Sequence, residues 1–127
     1  MERTTATTKK ATLYERLGGE TGVRKIVNDV LDKHTVNPVL AHHFQNIDMK
    51  KLKQLVFEFF SMGTGGPHSY TGRDMRTSHK GMNITEKEWE SATEDTIWAM
   101  DTNGVAEAEK NEVLTILDSL KGEIVGV

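Results

Sequence analysis

The chain reads as an all-α domain built from four substantial helices. Three observations predict this. Apolar residues recur three and four positions apart in four separate stretches, which is the spacing of one helix face. No stretch sustains the apolar–polar alternation of a strand. Helix stop signals punctuate the stretches at Gly18-Gly19, Asn37-Pro38, Gly63 to Gly66 and Asn103-Gly104. Two antiparallel pairs packed across each other would bury four such stripes.

The elements follow in order. Thr12-Leu13-Tyr14-Glu15 has the form of a capping box and opens a very short helix that ends at Gly18-Gly19. A second helix starts at Glu20 or Thr21, with Val23, Ile26, Val27, Val30 and Leu31 inward, and stops at Asn37-Pro38. Residues 38–44 are too short for a long helix and too apolar for a free loop. They are expected to form a helical turn with Leu40 and Phe44 inward. His42 and His43 are adjacent, so both should not face one site.

Asp48 caps a third helix whose stripe is Leu52, Leu55, Val56, Phe59 and Phe60, widened by Phe57 and Met62. Lys50, Lys51 and Lys53 make a solvated face. Thr85 and Glu88 form a second capping box, with Ile84 placed to staple onto Trp89. The helix that follows turns Trp89, Ala92, Thr93, Thr96, Ile97 and Met100 inward and leaves Trp98 partly exposed. The last helix runs from about Ala106 to Lys121 on a face of Val113, Leu114, Ile116, Leu117 and Leu120.

Composition bounds the function. At 127 residues the chain is one domain, expected over 11–127 behind a flexible, polar, threonine-rich arm at 1–10. The net charge is -3 and acids and bases are interspersed, which argues against nucleic acid as the main partner. There is no cysteine, so disulfide and thiolate chemistry are excluded. No apolar run approaches a membrane span, and the first ten residues lack the apolar core of a secretory signal. A cytoplasmic monomer, without a membrane or nucleic-acid partner, is the expectation.

One histidine stands out. The run from Gly65 to Gly72 breaks the third helix and forms a loop, and order returns at Asp74, a good cap. Met75, Ser78, His79 and Met82 then share one face of a short helix. An imidazole on such a face points inward. It either bonds a backbone carbonyl or ligates a metal. No second inward histidine or carboxylate pair accompanies it, so a metal reading requires a cofactor that brings most of its own ligands. Haem does so, taking one proximal histidine.

The residues from Leu13 onward resemble a truncated haemoglobin of the first group. The resemblance rests on Leu13-Tyr14-Glu15-Arg16-Leu17-Gly18-Gly19, His43-Phe44, Gly65-Gly66-Pro67, Tyr70-Thr71-Gly72 and Met75 through His79. It implies a two-over-two helical sandwich holding non-covalent haem b, with His79 as the proximal iron ligand. Phe44 would stack on the porphyrin, and Tyr70 would lie near a propionate. Leu52, Leu55, Val56, Met75, Met82, Trp89, Ile97 and Leu117 would contact the haem. Leu31, Phe44, Leu52 and Val56 would form the distal ligand pocket. Plain core packing is the competing reading for each wall residue.

Where many members carry a distal tyrosine and glutamines, this chain has Leu31, Leu52, Leu55 and Val56, none of them a hydrogen-bond donor. A charge-assisted hydrogen bond to dioxygen is worth about 1.5–3 kcal/mol. Its loss should speed dioxygen release by about one to two orders of magnitude. Carbon monoxide should lose less. Ferric iron is expected to be five-coordinate or weakly hydrated, and Lys53, His42 and His43 are the nearby candidates for a sixth ligand. No histidine follows His79, so a covalent haem–histidine link has no candidate there.

The function expected is reversible binding of diatomic gases (dioxygen, carbon monoxide, nitric oxide) as carrier, store or sensor, with a reductase as a candidate partner. The alternatives are nitric oxide dioxygenation or peroxidase-like chemistry, which the apolar distal side disfavours, and a haem-free helical interaction module.

Overall fold

The computed structural model describes residues 11–127. The expected arm at 1–10 lies outside the described residues. Six α-helices follow in order: α1 (Leu13–Arg16), α2 (Gly19–Val36), α3 (Met49–Gly63), α4 (Met75–His79), α5 (Glu86–Thr102) and α6 (Glu107–Ile124). A 3-10 turn, Ala41–Phe44, joins α2 to α3. Among the described residues there is no strand. A single parallel bridge between Ile84 and Val125 ties the entry of α5 to the end of α6.

The helix starts follow local chemistry. The hydroxyl of Thr12 accepts the Glu15 amide, and Glu15 returns the bond to the Thr12 amide. Thr85 and Glu88 do the same for α5. Asp48 accepts from the Lys51 amide and Asp74 from the Thr77 amide. Gly18 enters α2 at φ 107°, a conformation glycine adopts without strain. That left-handed entry lets α2 begin at Gly19, one residue before Glu20 and two before Thr21, the starts read from the sequence. The last helix runs three residues beyond Lys121, to Ile124.

Helix α2 packs on both α3 and α5, and α5 packs on α6, so two helix pairs cross in two layers. Arg16 on α1 reaches Glu109 and Glu112 on α6 and closes one end of the sandwich. The sealed core is Leu13, Tyr14, Leu17, Val23, Ile26, Val27, Val30, Leu31, Phe57, Ala99, Met100 and Val113. The small helix α4 packs on α6. Helix α3 has no comparable packing against α4, α5 or α6.

Two expectations about α3 change. Its most buried residues are Phe57 at 1% and Ser61 at 0% exposure, and they face α2 and the loop. The stripe expected to be its core face, Leu52, Leu55, Val56, Phe59 and Phe60, is only half-buried. Met62 is exposed rather than part of a widened face. Trp98 is exposed as expected, with the Lys33 ammonium 4.8 Å from its ring.

Candidate functional site

The loop between α3 and α4 is held tightly, which fixes where α4 sits. His68 Nδ1 lies 2.9 Å from the buried Ser61 hydroxyl, and its ring meets Phe57 edge-on at 4.7 Å. Gly66 passes so close to the Tyr14 ring and Ser61 that a Cβ there would collide with both. Beyond the loop, Tyr70 donates its hydroxyl to the Arg73 carbonyl at 2.6 Å and sets its ring edge-on to Phe59. Burial raises the Tyr70 phenol, so it stays a neutral donor. Thr71 bonds Glu58 through both its amide and its hydroxyl, and these bonds hold the Glu58 carboxyl below the usual range.

This frame presents His79 at the last turn of α4. Its Nδ1 sits 2.8 Å from the Met75 carbonyl, which fixes the proton on Nδ1. The Ser78 hydroxyl stands 3.0 Å from the same nitrogen. Nε2 therefore carries a lone pair, and among the described residues it has no partner. Both alternatives read for this histidine are compatible with the geometry. It bonds a carbonyl, and it keeps one nitrogen free to ligate.

The surroundings are apolar and unsealed. Leu52, Leu55, Val56, Phe59 and Phe60 on α3 are half-buried, as are Met75 and Met82 around α4. So are Trp89 and Ile97 on α5, and Leu114, Leu117 and Leu120 on α6. Each of the four elements thus leaves an apolar stripe open, although α3 is not packed against the other three. Fully burying a large apolar side chain is worth about 1.5–3 kcal/mol relative to exposure. A row of them half-open in helical register fits a flat apolar group slotted between α3 and α4 to α6. A free imidazole nitrogen beside such a slot would supply the one protein ligand that haem needs.

The residues singled out from the sequence divide by burial. Leu31 lies in the sealed core. Phe44, Leu52, Val56, Ile97 and Leu117 are half-buried and pack against that core. Leu55, Tyr70, Met75, His79, Met82 and Trp89 are half-buried and do not belong to it. Lys53 is engaged by Asp32 and Asn28, both at 2.7 Å. Two surface grooves, one beside Arg16 and Glu112 and one beside Arg24 and Lys51, contain none of the residues around His79.

One expectation is corrected. His42 and His43 do face one group: their Nε2 atoms lie 3.3 and 3.0 Å from the same oxygen of Glu88. In the tight 3-10 turn, neighbouring rings lie with centroids 4.0 Å apart, tilted at 39°, instead of diverging as they would on an α-helix. Glu88 is held below the usual carboxylate range, chiefly by the Thr85 backbone amide and then by His43.

A buried polar group was missed. His34 Nδ1 lies 2.7 Å from Asp95, and Asn37 donates to Asp95 and to Ser91. The His34 ring also packs at 5.7 Å on Phe44. Burial lowers the His34 pKa and the Asp95 bond opposes it, so the contact is a hydrogen bond from neutral imidazole. The available signal was that Thr96 and Asp95 interrupt an otherwise apolar α5 face.

Comparison with known proteins bears on this arrangement. A family model described as bacterial-like globin matches residues 12–125. The group 1 truncated haemoglobin of Tetrahymena pyriformis is 30% identical over 118 residues, covering 93% of this chain and 98% of that protein. Its ferric crystal structure superposes with a TM-score of 0.88 at 29% identity, covering 92% of this chain and all of that one. The 2/2 haemoglobin of a Synechococcus species, solved with covalently attached haem, gives a TM-score of 0.81 at 28% identity, covering 89% of this chain and 95% of that one.

Proposed function

The chain belongs to the bacterial-like globin family, among the group 1 truncated haemoglobins, and from that premise we propose that it holds haem b in the slot beside His79 and reversibly binds diatomic gases there. Globin membership itself implies haem-based gas binding. The finer reading concerns which residues do the work and what kind of pocket they make. It is carried by one observation, the lone-paired Nε2 of His79 at the edge of unsealed apolar stripes on α3 to α6.

Haem, when bound, would supply the iron at which a diatomic gas is held, with His79 as its protein ligand. The chain's own residues do the rest. The Met75 carbonyl holds the His79 ring in one tautomer and one orientation, so Nε2 needs no rearrangement to ligate. Phe44, Leu55, Met75, Met82, Trp89, Ile97 and Leu117 grip the porphyrin by apolar contact and exclude water. Tyr70 stands at the loop rim, where a propionate would lie, with its hydroxyl hydrogen committed to the Arg73 carbonyl. Leu31, Leu52 and Val56 form the wall facing the gas.

That wall offers no donor. The Tetrahymena structures include variants at one tyrosine and two glutamines, spaced twenty-one and four positions apart. Leu31, Leu52 and Val56 are spaced by the same intervals in this chain. The pocket therefore discriminates poorly in favour of dioxygen over carbon monoxide. Of the three side chains read as candidates for a sixth ligand, Lys53 is tied to Asp32, and His42 and His43 face Glu88. A carrier, store or sensor role suits fast, weakly discriminating exchange, and a reductase that keeps the iron ferrous is the partner this reading requires.

The test is an absorption spectrum of the haem-reconstituted chain in the ferric, ferrous and carbon monoxide forms, beside His79→Ala. A histidine-ligated ferrous carbon monoxide spectrum that the substitution abolishes, and that added imidazole restores, is expected. An unchanged spectrum in His79→Ala would remove the assignment.

A further inference from the structure

We propose that His42, His43 and Glu88 form a second metal site, for a divalent ion of the zinc, copper and nickel class, on the rim between the 3-10 turn and the start of α5. It uses none of the residues assigned to the haem slot, and it stands or falls apart from that reading.

His43 Nε2 bonds Glu88 Oε2 at 3.0 Å, and His42 Nε2 stands 3.3 Å from the same oxygen without making a hydrogen bond to it. The three donor atoms lie within 4.8 Å of one another. Around a tetrahedral ion with ligands at about 2.0–2.1 Å, adjacent donor atoms stand about 3.3–3.4 Å apart. The two imidazole–carboxylate spacings match that figure to within a few tenths of an ångström.

The ligands are also held in place. Glu88 Oε1 accepts the Thr85 amide at 2.9 Å as part of the α5 capping box, which aims Oε2 at the turn. His43 is mostly buried, and its ring centroid lies 4.0 Å from that of His42. Ligation by Nε2 requires each ring to carry its proton on Nδ1. Among the described residues neither Nδ1 bonds a protein group, so the one internal bond that this tautomer gives up is that of His43 Nε2 to Glu88, which ligation of both groups to the ion replaces. The His42 side chain is 57% exposed, which leaves solvent access for a water in the fourth position. Two imidazoles and one carboxylate favour zinc, copper or nickel over calcium and magnesium, which take all-oxygen sets.

The probe is zinc, titrated calorimetrically into the purified full chain. One binding site per chain is expected. Loss of an outer-shell partner alone typically weakens metal affinity about 10–100-fold. Loss of a direct ligand should therefore raise the dissociation constant at least about tenfold in His42→Ala and in Glu88→Gln. His42 is exposed and Gln keeps the cap acceptor, so both variants should retain the helical circular dichroism of the parent. His79→Ala should bind zinc as the parent does. No zinc binding, isotherms unchanged in both ligand variants, or zinc binding lost in His79→Ala instead would each overturn the assignment.

Discussion

In the proposed pocket, Leu52 and Val56 present carbon where a gas ligand could have met a hydrogen-bond donor. Val56→Gln adds one. A charge-assisted bond of about 1.5–3 kcal/mol should slow dioxygen release by about tenfold or more, and carbon monoxide release far less. Stopped-flow displacement reads both rates, and equal slowing of the two gases would count against a distal role for Val56. Gly66 illustrates a different constraint. A methyl group there meets the Tyr14 ring and Ser61, so Gly66→Ala should lose about 1–3 kcal/mol through overpacking, read from urea melts. His79 and the Gly65-Gly66-Pro67 loop were legible as single residues because glycine, proline and an inward imidazole each have few interpretations. His34 was not, because only the fold brings it to Asp95, sixty-one positions away.

Among the elements, α4 has the least support of its own. Five residues cannot sustain a helix alone, so its cap, its packing on α6 and the loop must hold it. Asp74→Ala removes the bond to the Thr77 amide and should cost about 1 kcal/mol. Because α4 carries His79, the same change should speed haem loss to an excess of an acceptor globin several-fold. Thr85→Ala removes an equivalent cap from α5 at similar cost in stability, without touching His79. Comparing the two variants separates global destabilisation from loosening of the ligand. Helix α3 shows where periodicity misleads. Its apolar stripe shares one side of the helix as expected but is only half-buried, and periodicity cannot distinguish a stripe sealed by protein from one left open. The packed residues Phe57 and Ser61 lie to one side of it.

At the scale of the molecule, two consequences follow. With the stripes of α3 to α6 half-open, the haem-free chain should be markedly less stable than the haem-bound one. Thermal melts of the two forms read this difference. The buried His34–Asp95 pair sets a pH dependence. Burial lowers the His34 pKa in the fold, whereas the unfolded chain titrates at its ordinary value of about 6.5. The unfolded state thus binds the proton first. Stability is complete above the ordinary value and falls as pH drops through it toward the lowered one. Urea midpoints between neutral and mildly acidic pH should fall more steeply for the parent than for His34→Gln. Equal slopes would remove His34 from the account.

Local pattern in the chain accounts for the order of helices among the described residues, most helix ends, and the caps at Thr12, Asp48, Asp74 and Thr85. These are local matters: hydrogen-bond acceptors at fixed spacing, glycine at a positive φ, and apolar residues three and four apart. Tertiary structure alone decided which stripes were sealed and which were left open, that His42 and His43 converge on Glu88, and that His34 is buried against Asp95. Each of these depends on how two elements far apart in the chain approach one another. That approach is set by how the whole core packs, and no local pattern of residues encodes it.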